Sequence, residues 1–173
     1  TAYPVVADPD TTEINQAWIS YDRIHDTVVK VGRQKINLDN QRFVGTVGWR
    51  QNDQTFDSVT VTNTSIDGLK LTYGYVWNVN RIFGDSHVAG DLSTDTHIAN
   101  ANYKFHDLAN VTAYGLWLDI HRLAALSTKT YGLRITGKTP INDRWSFSYE
   151  AEYARQSEHG NNTANFDENY YHF

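Results

Sequence analysis

The alternation of side chains along this sequence constrains the fold more than any other feature. From Leu69 to Trp77, large apolar or aromatic residues occupy every second position, and smaller or polar residues lie between them. Residues that alternate in this way lie on opposite faces of a β-strand. The pattern predicts an all-β fold with eight strands, the first three of them weakly marked: residues 13–22, 27–36, 54–63, 69–78, 97–105, 114–120, 131–136 and 145–153.

The two faces of these strands differ in composition. One face is large and apolar, and we expect Leu71, Tyr73, Leu116 and Phe147 to lie against hydrocarbon. The other face is mostly Gly, Ser, Thr and Asn, with one or two charges per strand. The lumen of a membrane barrel has this composition, whereas a soluble β-sandwich, the alternative, exposes a face rich in Lys and Glu.

The predicted links between strands alternate in length. This favours an antiparallel transmembrane β-barrel, in which short turns lie at one end and long loops at the other. The short links are predicted at residues 23–26, 64–68, 107–110 and 140–143, and the long ones at residues 37–53, 80–95 and 121–129.

Composition excludes several classes of protein. The chain has 173 residues, with 20 Asp and Glu against 15 Lys and Arg, and its charges are scattered. It therefore lacks the basic stripe that is typical of nucleic-acid binding. Because it contains no Cys, a thiolate metal site is not possible. No apolar run approaches the roughly 20 residues of a spanning helix. Since no shift in composition marks a boundary, residues 1–173 are predicted to form a single unit without a second domain.

The loop alternation places both ends of the chain on the long-loop side. Because single-chain barrels ordinarily keep both termini in the periplasm, we expect further strands beyond each end. Residues 169–173 are interpreted as the start of a ninth strand. The alternative takes Phe173 as the aromatic end of a complete eight-stranded barrel, whose interior would be filled by side chains.

Several segments resemble bacterial outer-membrane porins of the alginate-export type. The most distinctive is VGRQKINLDNQRFVG at residues 31–45, followed by GWRQN at residues 48–52. Shorter similarities lie at residues 3–9, 63–65, 78–84, 130–134 and 149–154. The resemblance implies an internal segment of a larger barrel, in the outer membrane of a Gram-negative bacterium, that passes small hydrophilic solutes passively. It does not identify the solute.

Charged residues predicted on the polar face are candidates for lining a pore, because rings of charge select ions at a constriction. A ladder of bases there would favour anionic solutes. The alternative is that these charges pair with one another and hold the wall together. The candidates are Lys30, Lys70, Lys104, Arg134 and Lys138, with Glu150 and Glu152 of opposite sign.

The first long loop is the second candidate region. It is unusually long unless it is functional or folded inward, and it mixes bases with apolar anchors. We expect it to pack on the inner wall and narrow the channel, although an ordinary exposed loop is equally compatible. Its bases are Arg33, Lys35, Arg42 and Arg50, and Arg81 opens the second long loop.

Signals for catalysis are poor, so the chain is not expected to be an enzyme. Residues 85–87 and 157–159 contain residue types of a catalytic triad, but neighbours in sequence do not form one. No cofactor or metal is expected. The expected partners are membrane lipid and small solutes, and the oligomeric state stays open. The alternative function is a soluble or surface β-domain that binds carbohydrate.

Overall fold

The computed structural model describes residues 9–106 and 108–173 and shows one antiparallel sheet, in which each strand pairs with its neighbours in sequence. A single-turn 3-10 helix, Ala124–Leu126, follows the sixth strand. No helix in these two ranges is long and apolar enough to cross a membrane. The strands are β1 Ala17–Ile24, β2 Thr27–Gln34, β3 Thr55–Ile66, β4 Leu69–Asn80, β5 Asp91–Phe105, β6 Ala109–Leu118, β7 Thr128–Pro140, β8 Ser146–Glu158 and β9 Asp167–His172.

The prediction of an all-β antiparallel fold is confirmed, and each of the eight predicted strands is present. The ninth strand, β9, lies where the sequence suggested that one starts, and it pairs with β8. Strand β5 begins at Asp91, inside a segment that was predicted to be loop. Residues 3–8 of the resemblance, and Asp107 of the third predicted turn, lie outside the described residues.

The connections alternate in length as predicted. Short turns join β1 to β2 and β3 to β4, and the second of these places Gly68 at a φ of 72°, in the left-handed region that favours glycine. The longer links lie at the other end of the sheet and cover residues 35–54, 81–90, 119–127 and 159–166. The fold therefore has a short-turn end and a long-loop end.

One side of the sheet, which we call the outer face, carries large apolar side chains that other described parts of the chain leave exposed. Register places Leu71 beside Ala101, and Tyr73 beside Ala99, on this side. Leu71 is 39% exposed and Phe147 is 60% exposed, although both are large and apolar. The described residues form one sheet and no second sheet, so the two-sheet soluble sandwich is not found there. An apolar face of this size needs a nonaqueous neighbour.

The opposite side, the inner face, contains the buried cluster of the molecule. Tyr114 and Leu116 of β6 pack there with Val76 of β4 and Ile98 of β5. Leu116 is only 3% exposed, so the prediction that it lies against hydrocarbon is wrong. The error has a physical cause: both faces of β6 carry large residues, and alternation alone does not say which set faces outward.

Candidate functional site

The first long loop folds back over the inner face. We call residues 35–54 the inward loop. The ring of Phe43 lies 5.6 Å from the ring of Tyr114 on β6 and 5.7 Å from that of Tyr170 on β9. Ile36 and Val44 of the loop belong to the buried cluster. Near Glu152 the space left between loop and wall is only about 10 Å³, so the two surfaces fit closely there. A larger cavity, of about 170 Å³, lies between Val44 of the loop and Ile98 of the wall.

Polar contacts hold the tip of the inward loop on the same wall. The side-chain amide of Asn40 donates to Glu150 at 3.4 Å and to Glu152 at 3.3 Å. Asp39 accepts a hydrogen bond of 2.9 Å from the Asn100 amide of β5. Loop and wall are therefore joined by apolar packing and by hydrogen bonds at several strands.

Glu152 is the centre of this contact. It is buried, and it accepts a hydrogen bond of 2.6 Å from the Tyr114 hydroxyl. Arg134 on β7 lies 3.7 Å from Glu152 and 2.8 Å from Glu150. A buried carboxylate needs such partners because desolvation without them is costly. The geometry of these three predicted pore-lining residues supports the alternative interpretation, in which lumen charges pair and support the wall.

The position of Tyr114 depends on a glycine of the neighbouring strand. Gly132 of β7 pairs with Tyr114 in register. A Cβ built at Gly132 would lie 2.1 Å from the Tyr114 ring, which no real contact allows. The glycine thus makes room for the ring to lie across the strand and reach Glu152.

The remaining predicted bases of the inner face are spread over the sheet. Lys70 pairs with Asn102 in register and is exposed, and the register of Lys104 and Lys138 puts them on the same side. The ammonium of Lys30 lies 4.2 Å from the centroid of the Trp18 ring. These bases line the wall over several strands without forming one compact cluster.

Arg42 is the base that the inward loop carries toward the wall. Its guanidinium lies 5.0 Å from the centroid of the Tyr170 ring, and its backbone N–H donates to Asn40. The side chain is exposed. A guanidinium held on an aromatic face keeps free N–H groups for a passing oxygen ligand.

Two predicted loop bases lie elsewhere. Arg33 belongs to β2 and points to the outer face, where it makes two hydrogen bonds, of 2.8 and 3.1 Å, to Asp57 of β3. Lys35 pairs with Asp53 at 2.5 Å and closes the base of the inward loop. The structure therefore does not bring Arg33 or Lys35 to the inner wall.

Arg50 and Arg81 contact mainly their own loops. The guanidinium of Arg50 lies 3.8 Å from the Trp49 ring, and its Nε and Nη1 are buried without a hydrogen-bond partner in the structure. Arg81 donates to the carbonyl of Ala89 and lies over Phe83. Of the loop bases predicted from sequence, Arg42 alone is placed against the inner wall by a described contact.

Several residues of the site were not predicted. Asn40, Asp39 and Phe43 dock the loop, but loop asparagines and aspartates are ordinary turn residues, so their types gave no signal. Tyr114 was assigned to the wrong face. A usable signal existed in β8, where Glu150 and Glu152 alternate with apolar residues and so share one face.

The described residues contain no group of three His, Cys, Asp or Glu side chains close enough to hold a metal ion. Chemically, the inner wall offers hydroxyls, amides, exposed bases and a paired acidic centre under a closely fitted loop. Such a surface can bind and orient hydrated polar solutes weakly as they move along it.

Comparison with known proteins agrees with this geometry. The family described as alginate export matches residues 2–74, which is less than half of the chain. No curated protein sequence matches. The fold, however, matches solved outer-membrane proteins over most of the chain.

Three of these structures illustrate the match. A BenF-like porin from Pseudomonas fluorescens Pf-5 has a TM-score of 0.70 at 18% identity, covering 86% of this chain and 39% of that one. Pseudomonas aeruginosa OccK11 (OpdR) has a TM-score of 0.67 at 18% identity, and the match covers 84% of this chain and 39% of that one. Acinetobacter baumannii OccAB1 has a TM-score of 0.61 at 21% identity, covering 76% and 30%.

This chain thus spans well under half the length of the solved structures that it resembles. The fold of this chain is that of a bacterial outer-membrane porin, and the nine antiparallel strands of its described residues form part of the barrel wall.

Proposed function

We propose that this chain is part of an outer-membrane channel of a Gram-negative bacterium that passes small hydrophilic solutes, and that the inward loop narrows its lumen. One observation carries the proposal: the inward loop packs on the polar inner face, while the apolar outer face is bare. A polar lumen and an apolar exterior are what a barrel in a bilayer requires.

The alternative of a soluble β-domain that binds carbohydrate is less well supported. Water would have to cover Leu71, Tyr73 and Phe147, which all lie on the exposed outer face. Transport is also favoured over catalysis, since the solved structures of similar fold include a protein named as a porin. Membrane lipid and small solutes are the partners that this proposal implies.

A preference for anionic solutes is a finer part of the proposal. Arg134 is already paired with Glu150, so it contributes little free charge. The exposed Arg42 on the inward loop and the exposed Lys70 on β4 are the bases best placed to attract a carboxylate. Their charge acts along the path of a solute that passes the loop.

Conductance in planar bilayers tests the constriction, using the protein expressed from its complete reading frame. Phe43→Ala removes the ring that packs on Tyr114 and Tyr170, so we expect the loop to undock and the single-channel conductance to rise roughly twofold or more. Phe147→Ala on the outer face is the matched control and should leave conductance unchanged. Insertion without any conductance, with either variant, would overturn the channel proposal.

Reversal potentials in a salt gradient test the anion preference. Arg42→Ala should shift the reversal potential toward cation preference, because a positive charge leaves the lumen. Arg50→Ala should shift it less, since the Arg50 guanidinium lies over Trp49 within the loop. Equal reversal potentials for wild type and Arg42→Ala would remove Arg42 from the selectivity of the channel.

A further inference from the structure

A polar cavity lies at the long-loop end of the sheet, away from the inward loop's contact with the wall. Its volume is about 290 Å³, at the small end of the range for ligand pockets. Its walls come from the segment before β1, from the end of the inward loop and from the ends of β3 and β4. The residues of its lining that can contact a ligand or set its charge include Thr12, Glu13, Asn15, Gln51, Asp53 and Thr55.

The cavity belongs to the outer face and not to the lumen. Thr55 starts β3. The pairing of β3 with β2 runs without a register shift from Phe56 to Val61, whereas its pairing with β4 shifts between Asp57 and Ser58 because of an extra residue on β4. Thr55 therefore points to the same side as Val59 and Val61, which belong to the bare face. Yet Thr55 is buried, and it lines the cavity together with residues 11–15 of the segment before β1. A solute in the lumen would not meet this cavity.

The two carboxylates in the cavity already accept hydrogen bonds from neighbouring groups. Asp53 accepts hydrogen bonds from Lys35 at 2.5 Å and from Asn15 at 2.8 Å. Glu13 accepts a hydrogen bond of 2.7 Å from the backbone N–H of Asp85 and another, of 3.2 Å, from Thr11. The acids disfavour an anionic ligand, and the Lys35 contact leaves Asp53 little attraction for a cation.

The remaining groups suit a ligand that donates and accepts hydrogen bonds at once. Gln51 and Thr12 are exposed, and they contribute an amide and a hydroxyl to the lining. Amides and hydroxyls offer both donors and acceptors, and so do the hydroxyls of a sugar ring. We propose that this cavity binds the ring of a neutral saccharide.

Two sources supply this chemistry at the outer rim of a barrel: a free sugar, or the glycan headgroup of a lipid in the same membrane. The position on the outer face gives the lipid-borne sugar access along the bilayer surface. The proposal does not rest on conduction through the lumen, since the cavity and the inward loop's contact with the wall lie on opposite faces of the sheet.

Ligand-observed NMR on the purified complete protein in a zwitterionic detergent free of sugars tests this proposal. Methyl β-glucoside probes a free sugar and octyl β-glucoside probes a membrane-borne one, while methyl β-glucuronide is the anionic counterpart. We expect saturation transfer to at least one of the two neutral probes, and weaker transfer to the glucuronide. Transfer to octyl β-glucoside alone would assign the lipid source, provided that its sugar protons carry the signal.

A double variant ties the binding to the cavity. Gln51→Ala with Thr12→Ala should weaken binding of the neutral probe about tenfold or more, from the loss of two hydrogen bonds. Asn161→Ala, an exposed amide on another loop, is the matched control and should bind as the wild type does. No transfer to either neutral probe, or equal binding by wild type and double variant, would overturn the proposal. Conductance of the single variant Thr12→Ala, a residue before β1 and outside the inward loop, should be unchanged, which separates this result from the test of the channel.

Discussion

The two faces of the sheet are built from the same strands but have different neighbours. On β6 and β4, Leu116 of the inner face is 3% exposed, whereas Leu71 of the outer face is 39% exposed. Both residues are leucines in regular antiparallel strands, so intrinsic strand preference does not separate them. What separates them is the inward loop, which covers one face and leaves the other for the membrane.

This difference shows that burial in such a chain has two sources. On the inner face, apolar side chains are removed from water by the protein itself, through Phe43 and Val44 of the loop. On the outer face, lipid must do so, because the described chain leaves the apolar side chains bare. Substitutions on the two faces should therefore respond to different surroundings, and four predictions use this contrast, from the largest expected effect to the smallest.

The largest effect is expected from a charge placed on the outer face. Leu71→Arg should destabilise the folded protein in bilayers by about 2–3 kcal/mol, because a charge on the lipid-facing side is poorly solvated and the apolar contact of the leucine is lost, at a position between the short turn and the midplane. The side chain of Thr72, the next residue of β4, points to the inner face, so Thr72→Arg should lower the free energy of unfolding much less. Urea titration of the complete protein in lipid vesicles, followed by tryptophan fluorescence, gives both free energies of unfolding.

The outcome of that pair bears directly on the comparison of the faces. Adjacent residues on one strand share backbone environment and depth, so only the side that they face differs. Equal losses for Leu71→Arg and Thr72→Arg would mean that both sides meet the same medium. The assignment of an outer face toward lipid would then have to be abandoned.

The second effect concerns the glycine that makes room for Tyr114 on the inner face. Gly132→Ala should destabilise the protein by about 1–3 kcal/mol, because the new methyl group collides with the Tyr114 ring and displaces it from Glu152. Urea titration as above measures the loss. The double variant Gly132→Ala with Tyr114→Ala removes the collision, so its two substitutions should cost less together than their separate losses added. Strictly additive losses would show that the ring and the glycine do not interact.

The fold was largely predictable from the sequence because apolar and polar side chains alternate along each strand of a barrel. The alternation from Leu69 to Trp77 and the difference in link lengths located the strands and the two ends of the sheet. The face of β6 was not predictable in the same way. Tyr114 and Leu116 alternate with Gly115 and Trp117, so large residues occur on both sides, and only pairing with the neighbouring strands resolves the orientation.

The candidate site was predictable only in part. The length of the inward loop and its mixture of bases with Phe43 were compatible with a loop that packs inward and equally with an ordinary exposed loop. The contacts of the Phe43 ring with Tyr114 and Tyr170 favour the first. The identity of its contacts was not predictable, because Asn40 meets Glu150 and Glu152 across more than a hundred residues of sequence. Such long-range contacts depend on the assembly of strands that are far apart in sequence, which no local pattern encodes.

The third prediction concerns the pH dependence at the base of the inward loop. Burial raises the pKa of Asp53, but hydrogen bonds from Lys35 and Asn15 outweigh it, so the pKa lies below its usual value of 3.8. A carboxyl with a lowered pKa stabilises the fold above the unfolded value and loses this contribution as the pH falls through the folded value. Wild type should therefore exceed Asp53→Asn in thermal stability at neutral pH, and the difference should shrink below pH 3.8.

Two results would contradict this account of the loop base. A stability difference between wild type and Asp53→Asn that is constant with pH would mean that the Asp53 carboxylate is not stabilised by its partners. A difference that grows in acid would mean that its pKa is raised instead of lowered. The matched control is Asp10→Asn, since Asp10 is exposed and precedes the same segment.

The smallest effect is expected from the ion pair between Arg155 of β8 and Asp167 of β9. These side chains point to the outer face at the long-loop end and are 62% and 48% exposed. Exposed pairs contribute little because water and salt screen them and because ordering two long side chains costs entropy. Arg155→Ala should leave the urea midpoint unchanged within error. Arg134→Ala should lower it, because Arg134 is largely buried on the inner face and leaves Glu150 and Glu152 without their base. Equal shifts of the urea midpoint for Arg155→Ala and Arg134→Ala would show that burial under the inward loop does not make an ion pair more important for stability.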